Sequence, residues 1–188
     1  MKLKIFPFKK VKSTNSTAIR LINQNIKFGV VTSERQYKGR GQGTNRWISN
    51  YGNIFLSIFF PIKRNLSIKN ITKINLNVVK KVIKKHINEK INIKLPNDIL
   101  INQSKICGIL QEIIFKNNIK YIIIGIGINL NNSPIIPNYC TSYLNKYSKK
   151  NIKKLELIKE LKTNFEKKIE NFISVSYKHL TLPTNSRV

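Results

Sequence analysis

Two apolar runs, residues 53–60 (NIFLSIFF) and 121–128 (YIIIGIGI), constrain the fold of this chain more than any other feature. Each is rich in β-branched or aromatic residues and too short for a core helix, so each reads as a buried strand. Pro61 stops the first. The second is the longest apolar stretch in the chain and falls far short of a membrane span. Isoleucine carries much of the 41% hydrophobic content, so strands should be plentiful.

Around these runs the elements alternate. Residues 3–8 (LKIFPF) suit an edge strand, where Pro7 is tolerated. Ser13 is placed as a helix N-cap before Ala18, Ile19, Leu21 and Ile22. Residues 28–33 read as a strand and 34–50 as a long polar loop, a length that is usually functional. Ser67 precedes the clearest helix, with Ile68, Ile71, Ile74, Val78, Val82 and Ile87 on its apolar face. Residues 91–95 form a strand stopped by Pro96, and 98–102 with 105–115 form a hairpin turning at Gln103–Ser104. Strand 119–128 and loop 131–150 follow. A last helix spans 152–172, with Leu155, Ile158, Leu161, Phe165, Ile169 and Phe172 on one face. The pattern predicts an α+β fold, a mixed sheet with helices packed on one side.

Net charge is +27 and the pI is near 10.3. Such charge suits a nucleic-acid or membrane partner. The lysines are spread along the whole length and accompany abundant Asn and Ile, which favours coding bias instead. Cys107 and Cys140 form no CxxC pair, and neither His86 nor His179 has ligand spacing with them, so no metal site is expected. The N-terminal MKLKIFPFKK does not read as a signal peptide, and a reducing, cytoplasmic location is expected.

The chemistry gathers in two segments, GRGQGTNRW (39–47) and KLPNDILINQSKICGILQE (94–112). Gly39, Gly41 and Gly43 allow backbone N–H groups to converge on an anion, while Arg40 and Arg46 add charge and Trp47 offers a flat face for a ring. The spacing fits neither a dinucleotide fingerprint nor a P-loop. Lys94 ends a strand, Pro96-Asn97-Asp98 is a tight turn, and Lys105 begins an apolar strand in which Gly108 marks a bulge or a close ligand approach. Cations from two distant points of the chain suit an anionic substrate together with a nucleotide.

In these segments the chain resembles the biotin–protein ligases, which activate biotin as its adenylate and attach it to a carrier lysine. The matching pieces are STN (13–15), Gln36, GRGQGTNRW, KLPNDI (94–99), SKICGILQE (104–112), GIGINL (125–130) and PNYCTSYL (137–144), in the family's order over roughly residues 10–145. The resemblance implies a catalytic domain over 1–173 whose mixed sheet agrees with the fold read above. It implies that Ser13, Thr14, Asn15 and Gln36 recognise the ureido ring of biotin. It implies that Gly39, Arg40, Gly41 and Gln42 close over the adenylate, and that Trp47 packs against adenine with Asn97 and Asn129 near its edge. Lys105 would meet the biotin carboxylate and the phosphoryl oxygens, making Lys105 and Arg40 the catalytic pair. Gly108, Gly125 and Gly127 would let backbone approach the ligand, with Lys94 and Asp98 in the same turn. ATP and Mg²⁺ are the implied cofactors, and the biotin carboxyl carrier protein of a carboxylase is the implied partner. Members often pair, so a homodimer is also an expectation.

The chain departs from the family pattern at Gln42, where a second arginine is common, and at Leu95, where tryptophan is usual. No winged-helix segment precedes residue 13, so DNA is not an expected partner, and apolar runs this short make a membrane an unexpected one too. Residues 174–188 (SVSYKHLTLPTNSRV) lack isoleucine and read as a non-native or disordered tail, and the family's small C-terminal β domain is expected to be missing. Two other readings stay open: a lipoate or octanoate protein ligase of the same fold, and a basic nucleic-acid-binding protein, which would show clustered cations with interleaved aromatics.

Overall fold

The structure is a computed structural model, and it describes residues 2–63, 67–170 and 172. The tail over 174–188 lies outside the described residues.

Seven strands form one mixed sheet. They are β1 (Ile5–Val11), β2 (Gly29–Gln36), β3 (Ile54–Pro61), β4 (Ile91–Lys94), β5 (Asp98–Ile101), β6 (Ser104–Lys116) and β7 (Ile119–Ile128). Their spatial order is β1-β2-β3-β7-β6-β5-β4, with β1 parallel to β2 and every other pairing antiparallel. The helices are α1 (Thr14–Asn23), α2 (Ile68–Lys84) and α3 (Lys154–Ile169). Among the described residues, no helix is long and apolar enough to cross a membrane.

The one-sided arrangement of helices holds only for α2 and α3. They bury Ile54, Leu56, Ile58 and Phe60 of β3 and Ile122, Ile124 and Ile126 of β7. Helix α1 lies on the opposite face, where Ala18, Leu21 and Ile22 cluster with Val31, Phe59 and Ile123. Alternation along each strand sends successive side chains to opposite faces, so both faces of this isoleucine-rich sheet need a cover. Helix α1 covers one end of its face and leaves the other end open.

Several boundaries move from the sequence reading. β1 runs on through Lys9 and Lys10 because parallel pairing with β2 satisfies its backbone. Ile68 and Ile74 of α2 are exposed, and Leu76, Val79 and Ile83 face the core with Ile71 instead. Leu155 is 70% exposed while Leu157 is buried, because α3 begins at Lys154 and its apolar stripe is set by Leu157, Ile158 and Leu161. The β5–β6 turn falls at Asn102–Gln103, both at positive φ, one residue earlier than expected. Asn117 and Asn118 make an equivalent turn between β6 and β7. Two successive left-handed residues match the twist of a tight hairpin, and asparagine tolerates that conformation better than most side chains. Ser13 and Ser67 sit at helix N-caps, yet neither side chain makes the capping bond.

Candidate active site

A cleft of about 520 Å³ opens on the α1 face of the sheet, beyond the N-terminus of that helix. Its floor is made where β6 and β7 run side by side. Gly108 pairs with Gly127, and Leu110 with Gly125. Any side chain at these glycines would collide with what lies on them. A Cβ on Gly108 would stand 2.7 Å from Trp47 Cζ3, and one on Gly127 would strike the same indole. A Cβ on Gly125 would strike the Asn15 side chain.

At one end of the cleft, polar groups from four elements, α1, β2, β3 and β6, interlock. Ser57 Oγ on β3 donates to Asn15 Oδ1 at 2.5 Å and lies 2.7 Å from Thr14 Oγ1. Gln36 Oε1, at the end of β2, accepts from the Thr14 N–H at 2.8 Å. Gln36 Nε2 donates to Ser49 Oγ at 3.1 Å. Asn15 Nδ2 donates to Glu112 Oε2 at 2.6 Å and to the Leu110 carbonyl at 3.2 Å. Ser13, Thr14, Asn15 and Ser57 are all buried, so each polar atom needs a partner and the network is fixed in register.

The glycine segment folds over this floor as a small hairpin. The Gly41 N–H donates to the Asn45 carbonyl at 2.8 Å, and the Trp47 N–H to the Gly39 carbonyl at 3.0 Å. Gly43 turns the tip at φ +61, a left-handed conformation that suits glycine. Arg40 Nη2 reaches across the cleft to Glu112 Oε2 at 2.6 Å. Arg46 has no carboxylate partner among the described residues.

At the other end sit the lysines. Lys105 Nζ pairs with Asp98 Oδ1 at 2.8 Å. It also lies 5.4 Å from the Trp47 ring centroid and 5.5 Å from that of Tyr139, within cation–π range of both. Lys94 stands 5.1 Å from the Tyr139 ring. Tyr139 donates to Asp98 Oδ2 at 2.7 Å. Partial burial pushes the Tyr139 phenol well above its usual range, and the hydrogen bond to Asp98 and its charge push the same way, so it stays a donor. The segment carrying Tyr139 is pinned to β6, because the Lys105 N–H donates to the Cys140 carbonyl and the Ser142 N–H to the Lys105 carbonyl, both at 2.9 Å. Burial likewise drives the Cys107 thiol far up, with Lys105 opposing, so Cys107 is a core residue rather than a nucleophile.

Most residues singled out in the sequence meet here. Ser13, Thr14, Asn15 and Gln36 line the polar end, and Arg40, Gly41, Gln42 and Trp47 line the hairpin side. Lys94, Asn97, Asp98 and Lys105 line the far end, and Gly108, Gly125 and Gly127 the floor. Two do not line it. Gly39 lies behind the hairpin, against the Trp47 carbonyl and Gln36 Nε2, and shapes the loop. Asn129 is buried, with its Nδ2 donating to the Ser142 carbonyl at 3.1 Å, so it ties the end of β7 to the neighbouring loop. Sequence reading passed over Ser57, Glu112 and Tyr139. A lone serine inside NIFLSIFF was the available signal for the first.

The same architecture recurs in solved protein ligases. The biotin protein ligase of Aquifex aeolicus in complex with biotin and ATP superposes with a TM-score of 0.76 at 23% identity, covering 89% of this chain and 71% of that one. That of Leishmania major in complex with biotinyl-5-AMP gives 0.73 at 22%, covering 98% and 85%. The fold is therefore that of a protein ligase catalytic domain. The chain belongs to the biotin/lipoate A/B protein ligase family, whose model matches residues 7–129. The bifunctional ligase/repressor BirA of Bacillus subtilis is 29% identical over 184 residues, which is 92% of this chain and 55% of that protein. The chain thus spans about half the length of the BirA proteins it matches.

Proposed function

We propose that this chain carries the catalytic unit of a biotin–protein ligase: ATP activates biotin to biotinyl-5′-AMP, and the acyl group then passes to a lysine of a biotin carboxyl carrier protein. The observation that carries this reading is the pairing, in one cleft, of a buried hydroxyl–amide network with two cations on a glycine floor. The network offers the donors and acceptors a ureido ring requires, since a buried polar group left unpaired costs about 1–3 kcal/mol. Biotin's carboxylate would extend from there toward Lys105. For that carboxylate to attack the α-phosphorus, two anions must approach, and Lys105 and Arg40 would neutralise the charge that develops. Trp47 supplies the flat face for adenine. In the second step the carrier amine attacks an anhydride that is already activated, so the hairpin needs only to keep water away.

Mg²⁺ fits as a companion of the nucleotide. The cleft carboxylates Asp98 and Glu112 are each held by a cation, so the ion would enter on the ATP phosphates, as Mg²⁺ commonly does. Both cysteines are free thiols, which suits a reducing cytoplasm. Pairing of two copies has a place to occur: the Ile109 N–H still meets the Asn97 carbonyl, but beyond it, among the described residues, β7 is the strand that β6 pairs with, and Phe115 on this stretch is 64% exposed.

Calorimetric titration with biotin, repeated with ATP and Mg²⁺ while pyrophosphate is followed, tests the reading. Biotin binding with pyrophosphate release is expected. Binding of lipoate in place of biotin would transfer the assignment to the other branch of the family.

A further inference from the structure

The hairpin is held from both sides by one continuous run of side chains. Starting inside it, Arg40 pairs with Glu112 Oε2, and the same oxygen accepts from Asn15 Nδ2, each at 2.6 Å. Asn15 continues to Ser57, Ser57 to Thr14, and Thr14 to Gln36. Gln36 closes the run on Ser49, just past the hairpin. Arg40 and Glu112 are the only charged members. Their side chains are 41% and 24% exposed, and an ion pair this wet contributes little to folding. So weak a bond does little for the stability of the sheet. It is well matched to a loop that must open and close at each turnover.

We propose that Glu112 is a positioning residue that latches the glycine hairpin through Arg40 and ties the latch to the polar pocket through Asn15. A ligand that engages Thr14, Asn15 or Gln36 shifts the pocket end of the run, and Glu112 passes that shift to the hairpin. The turnover part of this inference rests on the ligase reading, while the latch itself does not.

The test uses the full chain with Glu112→Gln, Glu112→Asp, Arg40→Ala and the Arg40→Ala/Glu112→Gln pair. Glutamine keeps an acceptor for Asn15 and loses the charge that holds Arg40. Hydrogen exchange at the Gly41 and Trp47 amides reads the latch without any activity. Glu112→Gln should speed both by about tenfold with the sheet amides unchanged, as local opening does. Glu112→Asp should restore part of the protection. With ATP and biotin but no carrier, Glu112→Gln should release several times more biotinyl-adenylate, biotin affinity should change by less than about threefold, and the pair should leak no more than Arg40→Ala alone, the non-additivity of coupled residues. Unchanged exchange in Glu112→Gln, faster exchange across the whole sheet, or leaks that multiply in the pair would overturn the proposal. If the wild-type chain makes no adenylate, the ligase reading fails and the exchange data alone decide on the latch.

Discussion

Lys105 Nζ lies 2.8 Å from Asp98 Oδ1, while the Tyr139 hydroxyl holds the other oxygen of that carboxylate at 2.7 Å. The ammonium is thus aimed by a carboxylate that is itself aimed, between the faces of Trp47 and Tyr139. A point charge on a flexible stem becomes a fixed one, which is what stabilising charge in a transition state requires.

Lys105→Ala should lower the rate of adenylate formation by about 10²–10³, the usual effect of removing one such donor. Its circular dichroism spectrum should match the parent, because the residue 105 backbone keeps its bonds to Cys140 and Ser142. Near-normal pyrophosphate release by this variant would remove Lys105 from the chemistry.

Arg40→Ala should free the hairpin and let adenylate escape to solvent before transfer. The readout is adenylate in the filtrate after rapid ultrafiltration, and full retention would count against a closing role for the hairpin.

Gly127→Ala should push Trp47 off the floor, since the new methyl group would occupy the space of the indole. Trp47 is the only tryptophan, so its emission should shift to the red, and ATP binding should weaken with biotin binding less affected. An unchanged spectrum would mean the indole does not rest on this glycine in solution.

Ser57→Ala should destabilise the chain by about 1–3 kcal/mol, because Asn15 Oδ1 loses its partner in a buried place. Biotin affinity should fall with it. Denaturant unfolding and calorimetry together check both, and a neutral variant would show that the network tolerates a gap.

Glu166 predicts the acid limb of stability. Burial alone would raise its pKa, but hydrogen bonds from Lys162 and the Leu3 N–H lower it below the ordinary carboxylate value. A depressed folded pKa stabilises above the unfolded value and loses that contribution as pH falls through the folded one. Glu166→Gln should therefore melt at lower temperature than the parent at pH 7, and the gap should close toward pH 3. A gap that persists in acid would assign the effect to packing.

The cleft was more legible than the fold's details. Short local signals, glycines beside cations and a Pro-Asn-Asp turn, marked the hairpin and the Lys94–Gly108 side of its lining, because close approach and charge demand particular residue types, while Ser13, Thr14, Asn15, Gln36, Gly125 and Gly127 came only through the family resemblance. What sequence missed came from partners distant in the chain. Ser57 matters because β3 lies under α1, and Glu112 because β6 runs beneath the hairpin. The side of the sheet that α1 takes was illegible for the same reason: an amphipathic helix shows that it has a buried face, not which surface it buries it on. Leu155 and Ile68 misled because an apolar residue next to a helix start need not lie on the stripe.

The outer strands of the sheet, β1 and β4, are fringed with Pro7, Lys9, Lys10 and Lys94, residues that discourage another strand from docking. The open stretch of β6 carries no proline or lysine until Lys116 at its end, and its one other charge, Glu112, is taken up by Arg40. An edge that is bare in only one place is used up by a single antiparallel meeting. Strand-to-strand growth of this isoleucine-rich sheet would therefore stop at two copies as a closed pair, where a sheet bare on both sides could extend into a ribbon without end.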